Sequence, residues 1–145
     1  MNSKRVGNIG EAEALASLVK LGIPVYLQFG DTEPADYIII VDSKPIKIQV
    51  KTSSSSTSNS VRFSLTASTV HRKNGKKHVY STDEVDAFIC YDIRTQQTFV
   101  LKNDGKATSV IFRYAKPKNK QQMRIRYATD YTLCVETLHG ISGNR

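Results

Sequence analysis

Residues 34–52 read PADYIIIVDSKPIKIQVKT, and no other stretch of the chain restricts the fold as tightly. An apolar run at 37–41 meets the turn-forming tetrad Asp-Ser-Lys-Pro. It leaves as a segment in which Lys47, Gln49 and Lys51 alternate with Ile46, Ile48 and Val50. A period of two on both sides of a turn specifies a β-hairpin with one apolar and one polar face. A symmetric turn centred on Ser43-Lys44 pairs Val41 with Ile46, Tyr37 with Val50, and Asp36 with Lys51. Asp36 then shares a face with Gln49 and Lys51, one diagonal step from each.

The flanking segments place this hairpin in a larger pattern. Residues 9–21 predict a helix, with Asn8 as N-cap, Gly22 as the stop and Pro24 preventing continuation. A short strand is expected at 25–29, another at 61–66, and a short helix at 67–72. HRKNGKKH at 71–78 reads as a basic turn built on Asn-Gly. Residues 85–93 read as a buried strand partnered by 98–102. Segments 110–114 and 123–127 form strand-like arms around AKPKNKQQ, and 129–138 a closing helix, capped by Thr129 or Asp130 and stopped at Gly140. The order predicts one α+β domain over residues 1–145, built on a mixed central sheet.

Composition narrows the partner. The 145 residues suffice for a real core, and 39% hydrophobic with 23% charged residues is soluble globular composition. No apolar run is long enough to span a membrane and no signal-peptide core follows the first residues, so a cytoplasmic, DNA-associated location and no membrane partner are expected. Cys90 and Cys134 fit no zinc spacing and read as buried free thiols. Net charge is +8, unevenly spread: residues 1–50 carry five Lys or Arg against six Asp or Glu, and the remainder 16 against 7. Such a distribution points to a polyanion, with nucleic acid the first candidate.

The hairpin's polar face has the groups that phosphodiester hydrolysis needs. A hard cation, Mg2+ or Mn2+, takes carboxylate and carbonyl oxygens. Asp36 is the expected anchoring ligand, joined by the Gln49 side-chain oxygen and the Val50 carbonyl. Lys51 would hold and activate water beside it. Glu11 falls in line with Leu15 and Leu18, on the core-facing stripe of the first helix, and is expected as a direct or water-mediated ligand. Each residue also has an ordinary reading: Asn8 and Glu11 fit a capping box, and Asp36 could pair with Lys51 on a solvated sheet. The joint pattern favours the metal site. His71, His78 and His139 read as surface histidines.

Glu11 on a first helix, Asp36 in EPAD and Gln49-Val50-Lys51, in α-β-β-β order, resemble the PD-(D/E)xK nuclease superfamily. VDAFICYD at 85–92 looks like a later core strand of that fold. RYAKPKNKQQMRIRYATDY at 113–131 is similar to the intron-encoded homing endonucleases of this type. Two positions depart from the pattern: Ala35 stands where the motif proline is usual, and Gln49 where Asp or Glu is. The resemblance implies a restriction-endonuclease-like α/β/α fold with an N-terminal helix and added basic β-arms. It also implies a sequence-specific, Mg2+-dependent double-stranded DNA endonuclease that leaves 5′-phosphate ends and serves intron mobility. One site per chain calls for a homodimer or larger homo-oligomer. The expected DNA contacts are Ser53 and Ser55 after the hairpin, Arg62, then Arg72, Lys73, Lys76 and Lys77 on the basic turn. Arg113, Lys116, Lys118, Lys120, Arg124 and Arg126 follow on the arms. A Holliday-junction resolvase or restriction enzyme of the same fold, and a non-catalytic nucleic-acid-binding protein on the nuclease scaffold, are the rival readings.

Overall fold

Helix formation starts well before the cap that the sequence suggests. In the computed structural model, which describes residues 1–67, 77–116 and 125–143, α1 runs Ser3–Lys20. Its N-cap is Asn2, whose side chain accepts from the Arg5 N–H. Asn8 and Glu11 therefore lie inside the helix, and the capping box is not made. Gly22, at φ 77°, turns the chain out of the helix as expected.

Five strands form the central sheet in the order β1 (Val25–Leu27), β2 (Tyr37–Val41), β3 (Lys44–Ser53), β7 (Ala87–Asp92) and β8 (Gln97–Lys102). All neighbours are antiparallel except β3 and β7, which run parallel. The sheet is thus mixed, as predicted. The β2–β3 hairpin turns on two residues, Asp42 and Ser43, both at positive φ (53° and 62°), so its register is Val41↔Lys44 and Tyr37↔Ile48. This is a two-residue correction to the symmetric turn above. Because the slip is even, every side chain keeps its predicted face.

Two apolar clusters sandwich this sheet. On one side Ala14 and Leu18 of α1, with Leu138 of α2 (Val135–Gly143), pack on Ile39, Ile46, Ile48 and Ile89. On the other, Phe63, Phe99 and Phe112 join Phe88 and Cys90 beneath a three-stranded sheet of β10 (Arg126–Tyr127), β9 (Ser109–Arg113) and β4 (Ser60–Ser64). β7 is covered on both sides, and all six of its residues are buried. A further pair, β5 (Thr66–Ala67) and β6 (His78–Val79), stands beside it.

Other boundaries move. Phe29 lies outside β1 and is fully exposed. The predicted closing helix starts later: Ala128–Asp130 is a single 3-10 turn, and α2 runs through Gly140 with the Cys134 N–H donating to Thr137 Oγ1. β10 pairs with β9 in parallel. Ala67 is in a strand, and the rest of the helix expected at 67–72 falls outside the described residues.

Candidate active site

The polar face of β3 emerges where β2 begins. β2 starts at Tyr37, opposite Ile48, so the strand has no ladder partner for Val50. The Asp36 side chain takes that place: the Asp36 N–H donates to the Ile48 carbonyl at 2.8 Å, and Asp36 Oδ2 accepts from the Val50 N–H at 2.8 Å. The same Val50 N–H lies 3.1 Å from Gln49 Oε1. Two oxygens from two side chains therefore meet at one amide hydrogen, beside the Val50 backbone.

Gln49 is oriented by what surrounds its nitrogen. Nε2 donates to the Pro34 carbonyl at 2.7 Å and to the Tyr80 hydroxyl at 3.1 Å. A carbonyl can only accept and a backbone N–H can only donate, so the amide has one chemically sensible orientation, oxygen toward Asp36. Lys51 follows on the same face. Its Nζ donates to the Thr66 carbonyl at 2.8 Å and stands 5.3 Å from the centre of the Tyr80 ring. No ion pair within 4.0 Å joins Lys51 to Asp36 among the described residues, which removes the simple salt-bridge reading.

Glu11 approaches from the helical side. Gly10 permits this: a Cβ there would sit 1.8 Å from Thr52 Oγ1, so α1 crosses β3 closely only because the side chain is absent. The Tyr37 hydroxyl donates to the Glu11 carbonyl at 2.7 Å and ties the helix to the strand next to Asp36. The buried positions of α1 are Gly10, Ala14 and Leu18, whereas Glu11 is exposed at the rim. The expectation of a core-facing Glu11 is corrected to that extent.

Electrostatics mark the cluster as short of positive charge. Burial raises the Asp36 pKa, outweighing the Val50 N–H and Lys51, which pull it down. Glu11, exposed as a residue but with its carboxyl partly desolvated against the strand, is raised by that desolvation and then by the Asp36 charge. Burial lowers the Lys51 ammonium against the opposing pull of Asp36 and Cys90. The Tyr37 phenol is pushed up to about 12 by burial and by the two carboxylates. Among the described residues no group of three or more His, Cys, Asp or Glu gathers to hold a metal. A cation here would rest on two carboxylates, one amide oxygen and one carbonyl. Those donors fit a hard divalent ion, and the raised carboxyl pKa values mean that their ionised forms lack a compensating charge.

The expected DNA contacts fare unevenly. Ser53 is buried, its Oγ accepting from the Ser55 N–H and its carbonyl from the Ile93 N–H, which leaves little of it to meet DNA, contrary to the surface position expected. Ser55, Arg62, Lys77, Lys116 and Arg126 are exposed, and Arg113 is half-buried. Register places Arg62 opposite Ile111 and Arg113 opposite Ser60 on the outer face of the small sheet. Arg126 pairs with core-facing Phe112 on the other face, where its charge reaches Asp104. Arg72, Lys73, Lys76, Lys118, Lys120 and Arg124 lie outside the described residues, as does His71. His78 and His139 each have a carboxylate partner, Glu84 and Asp42. The serine-rich loop is tied down rather than loose: Ser56 Oγ donates to Asp92, and Arg94 donates to Ser56 Oγ and the Thr57 carbonyl.

Sequence reading missed Tyr37, Tyr80 and the Pro34 carbonyl. Tyr37 could have been suspected as the residue after Asp36 that faces the helix. For Tyr80, far along the chain, no local signal exists.

Comparison with known proteins agrees with this architecture. A family model described as PD-(D/E)XK endonuclease matches residues 1–134. Among solved structures, a bacterial homing endonuclease, I-Ssp6803I, superposes with a TM-score of 0.74 at 20% identity, covering 99% of this chain and 95% of that one. At that identity the likeness speaks for the fold. No curated protein matches the chain. The mixed sheet with its N-terminal helix is the restriction-endonuclease-like arrangement.

Proposed function

Because the chain belongs to the PD-(D/E)XK endonuclease family, we propose that it is a divalent-metal-dependent, sequence-specific endonuclease of double-stranded DNA, with Glu11, Asp36, Gln49 and Lys51 as its catalytic residues. One observation carries the reading. Asp36 Oδ2 and Gln49 Oε1 converge on the Val50 N–H, and the Lys51 side chain leaves the same face of the strand. Asp36, Gln49 Oε1 and the Val50 carbonyl would hold Mg2+ or Mn2+, with Glu11 direct or through water. The ion supplies charge neutralisation at the phosphate and acidifies a water.

The chain's own residues do the rest. Lys51, held by the Thr66 carbonyl and lying over the Tyr80 ring, presents an N–H to the attacking water and to the negative charge on the phosphoryl oxygens. Among the described residues Asp36 and Glu11 form no ion pair within 4.0 Å, so their charge is available to a cation. Exposed Arg62 and half-buried Arg113 on the outer face of the small sheet suit phosphate or base contacts. One such site per chain makes a homodimer or larger homo-oligomer the species that cuts both strands. The homing-endonuclease likeness makes intron mobility the fitting role.

The test is cleavage of plasmids carrying candidate sites with and without Mg2+. Asp36→Ala and Lys51→Ala should each abolish cutting while leaving salt-sensitive DNA binding intact. Cutting by either variant, or binding by the native chain with no metal-dependent cleavage, refutes the assignment. Four-way junctions run beside linear duplex separate a resolvase from a site-specific enzyme.

A further inference from the structure

Gln49 stands where an acid is usual in this motif, and its surroundings are built for an amide. Both acceptors around Nε2, the Pro34 carbonyl and the Tyr80 hydroxyl, come from outside β3, 15 and 31 residues away in sequence. Pro34 O can never donate a hydrogen bond. A carboxylate at this position would set one acceptor against another at the 2.7 Å separation that the amide nitrogen now fills. The amide is thus matched to its pocket rather than being a weakened acid.

Tyr80 is itself held firmly. It is buried, its carbonyl accepts from Asn103 Nδ2 at 3.0 Å, and its ring packs against His78 and Phe88 at centroid distances of 5.6 and 6.1 Å. Its hydroxyl accepts from Gln49 Nε2 at 3.1 Å and its ring lies 5.3 Å from Lys51 Nζ, so one side chain touches both. We propose that Tyr80 is a positioning residue which, with the Pro34 carbonyl, clamps the Gln49 amide so that its oxygen is presented as a metal ligand beside Asp36. The inference rests on the nuclease reading above. Without the hydroxyl, one amide N–H loses its acceptor, and the oxygen is held by a single nitrogen contact instead of two.

Mn2+ binding by the full chain, followed by electron paramagnetic resonance of the free ion without DNA, tests this in a double-mutant cycle. Tyr80→Phe keeps the ring, and therefore the packing and the Lys51 contact. It should weaken Mn2+ binding by about fivefold in the native background and not at all in Gln49→Ala, where no amide remains to be held. A loss of the same size in both backgrounds makes Tyr80 merely structural and overturns the clamp, as does a Tyr80→Phe variant that binds like the native chain. Absence of Mn2+ binding by the native chain, or binding that Asp36→Ala leaves unchanged, overturns the nuclease reading together with the clamp.

Discussion

Two aspartates flank β3 and have opposite fates. Asp92, at the end of β7, is fully buried and takes four donors: the Tyr114 hydroxyl at 2.6 Å, Ser56 Oγ at 2.8 Å, Thr95 Oγ1 at 2.9 Å and the Arg94 N–H at 3.1 Å. Burial alone would raise its pKa, but these bonds hold it below the usual carboxylate range. Asp36, just before β2, is only half-buried and among the described residues its side chain has one donor, the Val50 N–H; burial wins and its pKa rises. Donor supply, not depth, separates them. A carboxylate saturated by its own protein is a structural tie between the serine-rich loop and the small sheet. One left short of positive charge beside a lysine and a second carboxylate is where we propose that the cation binds.

The strongest way to break this contrast is to neutralise each acid in turn. Asp36→Asn should lower cleavage on the order of 10^3-fold, since a metal ligand's charge is lost. Its melting temperature should hold or rise, because the fold already disfavours that charge. Asp92→Ala should do the reverse, costing about 3 kcal/mol of stability by stranding buried hydroxyls, with little effect on the chemistry of molecules that remain folded. If Asp36→Asn melts early, or Asp92→Ala is neutral, the two sites do not differ as described.

A second test moves the frame rather than the charge. Gly10→Ala forces a methyl onto Thr52 Oγ1 and should cost about 2 kcal/mol while displacing Glu11, read by chemical denaturation and by cleavage rate together. Acidification resolves the contrast more finely. The folded pKa of Asp92 is depressed, so its contribution is complete above the unfolded value of about 3.9 and fades as pH falls through the folded value. The stability gap between the native chain and Asp92→Asn should therefore shrink below about pH 4 in urea titrations. The smallest effect is expected from Gln49→Glu, which keeps an oxygen ligand but loses the Pro34 contact. Cleavage should fall about tenfold, less than for Gln49→Ala. Equal loss in the two argues against a ligand role for residue 49.

Much of the central architecture was legible from residue order. The apolar run before Asp42, the alternating segment after it and the wholly apolar stretch around Phe88 became β2, β3 and β7, and the helix Glu stood on the first element. The errors fell where local signals compete. Asn8 looked like a cap because a helical start has no unique residue, and Asn2 serves as well. Ser53 looked like a surface serine because nothing near it announces the β7 neighbour that buries it. The face that Arg126 takes could not be read locally either, because it depends on which β9 residue it pairs with, Phe112.

Which side of the strand Asp36, Gln49 and Lys51 occupy was determined by sequence alone. Alternation is a property of adjacent residues, and even a two-residue slip in register cannot reverse it. The meeting of Gln49 with Pro34 and Tyr80, the approach of α1 over Gly10 and the donor count at each aspartate were decided only in three dimensions. Those contacts join segments tens of residues apart, and they follow from how layers stack on the sheet, which no local pattern encodes.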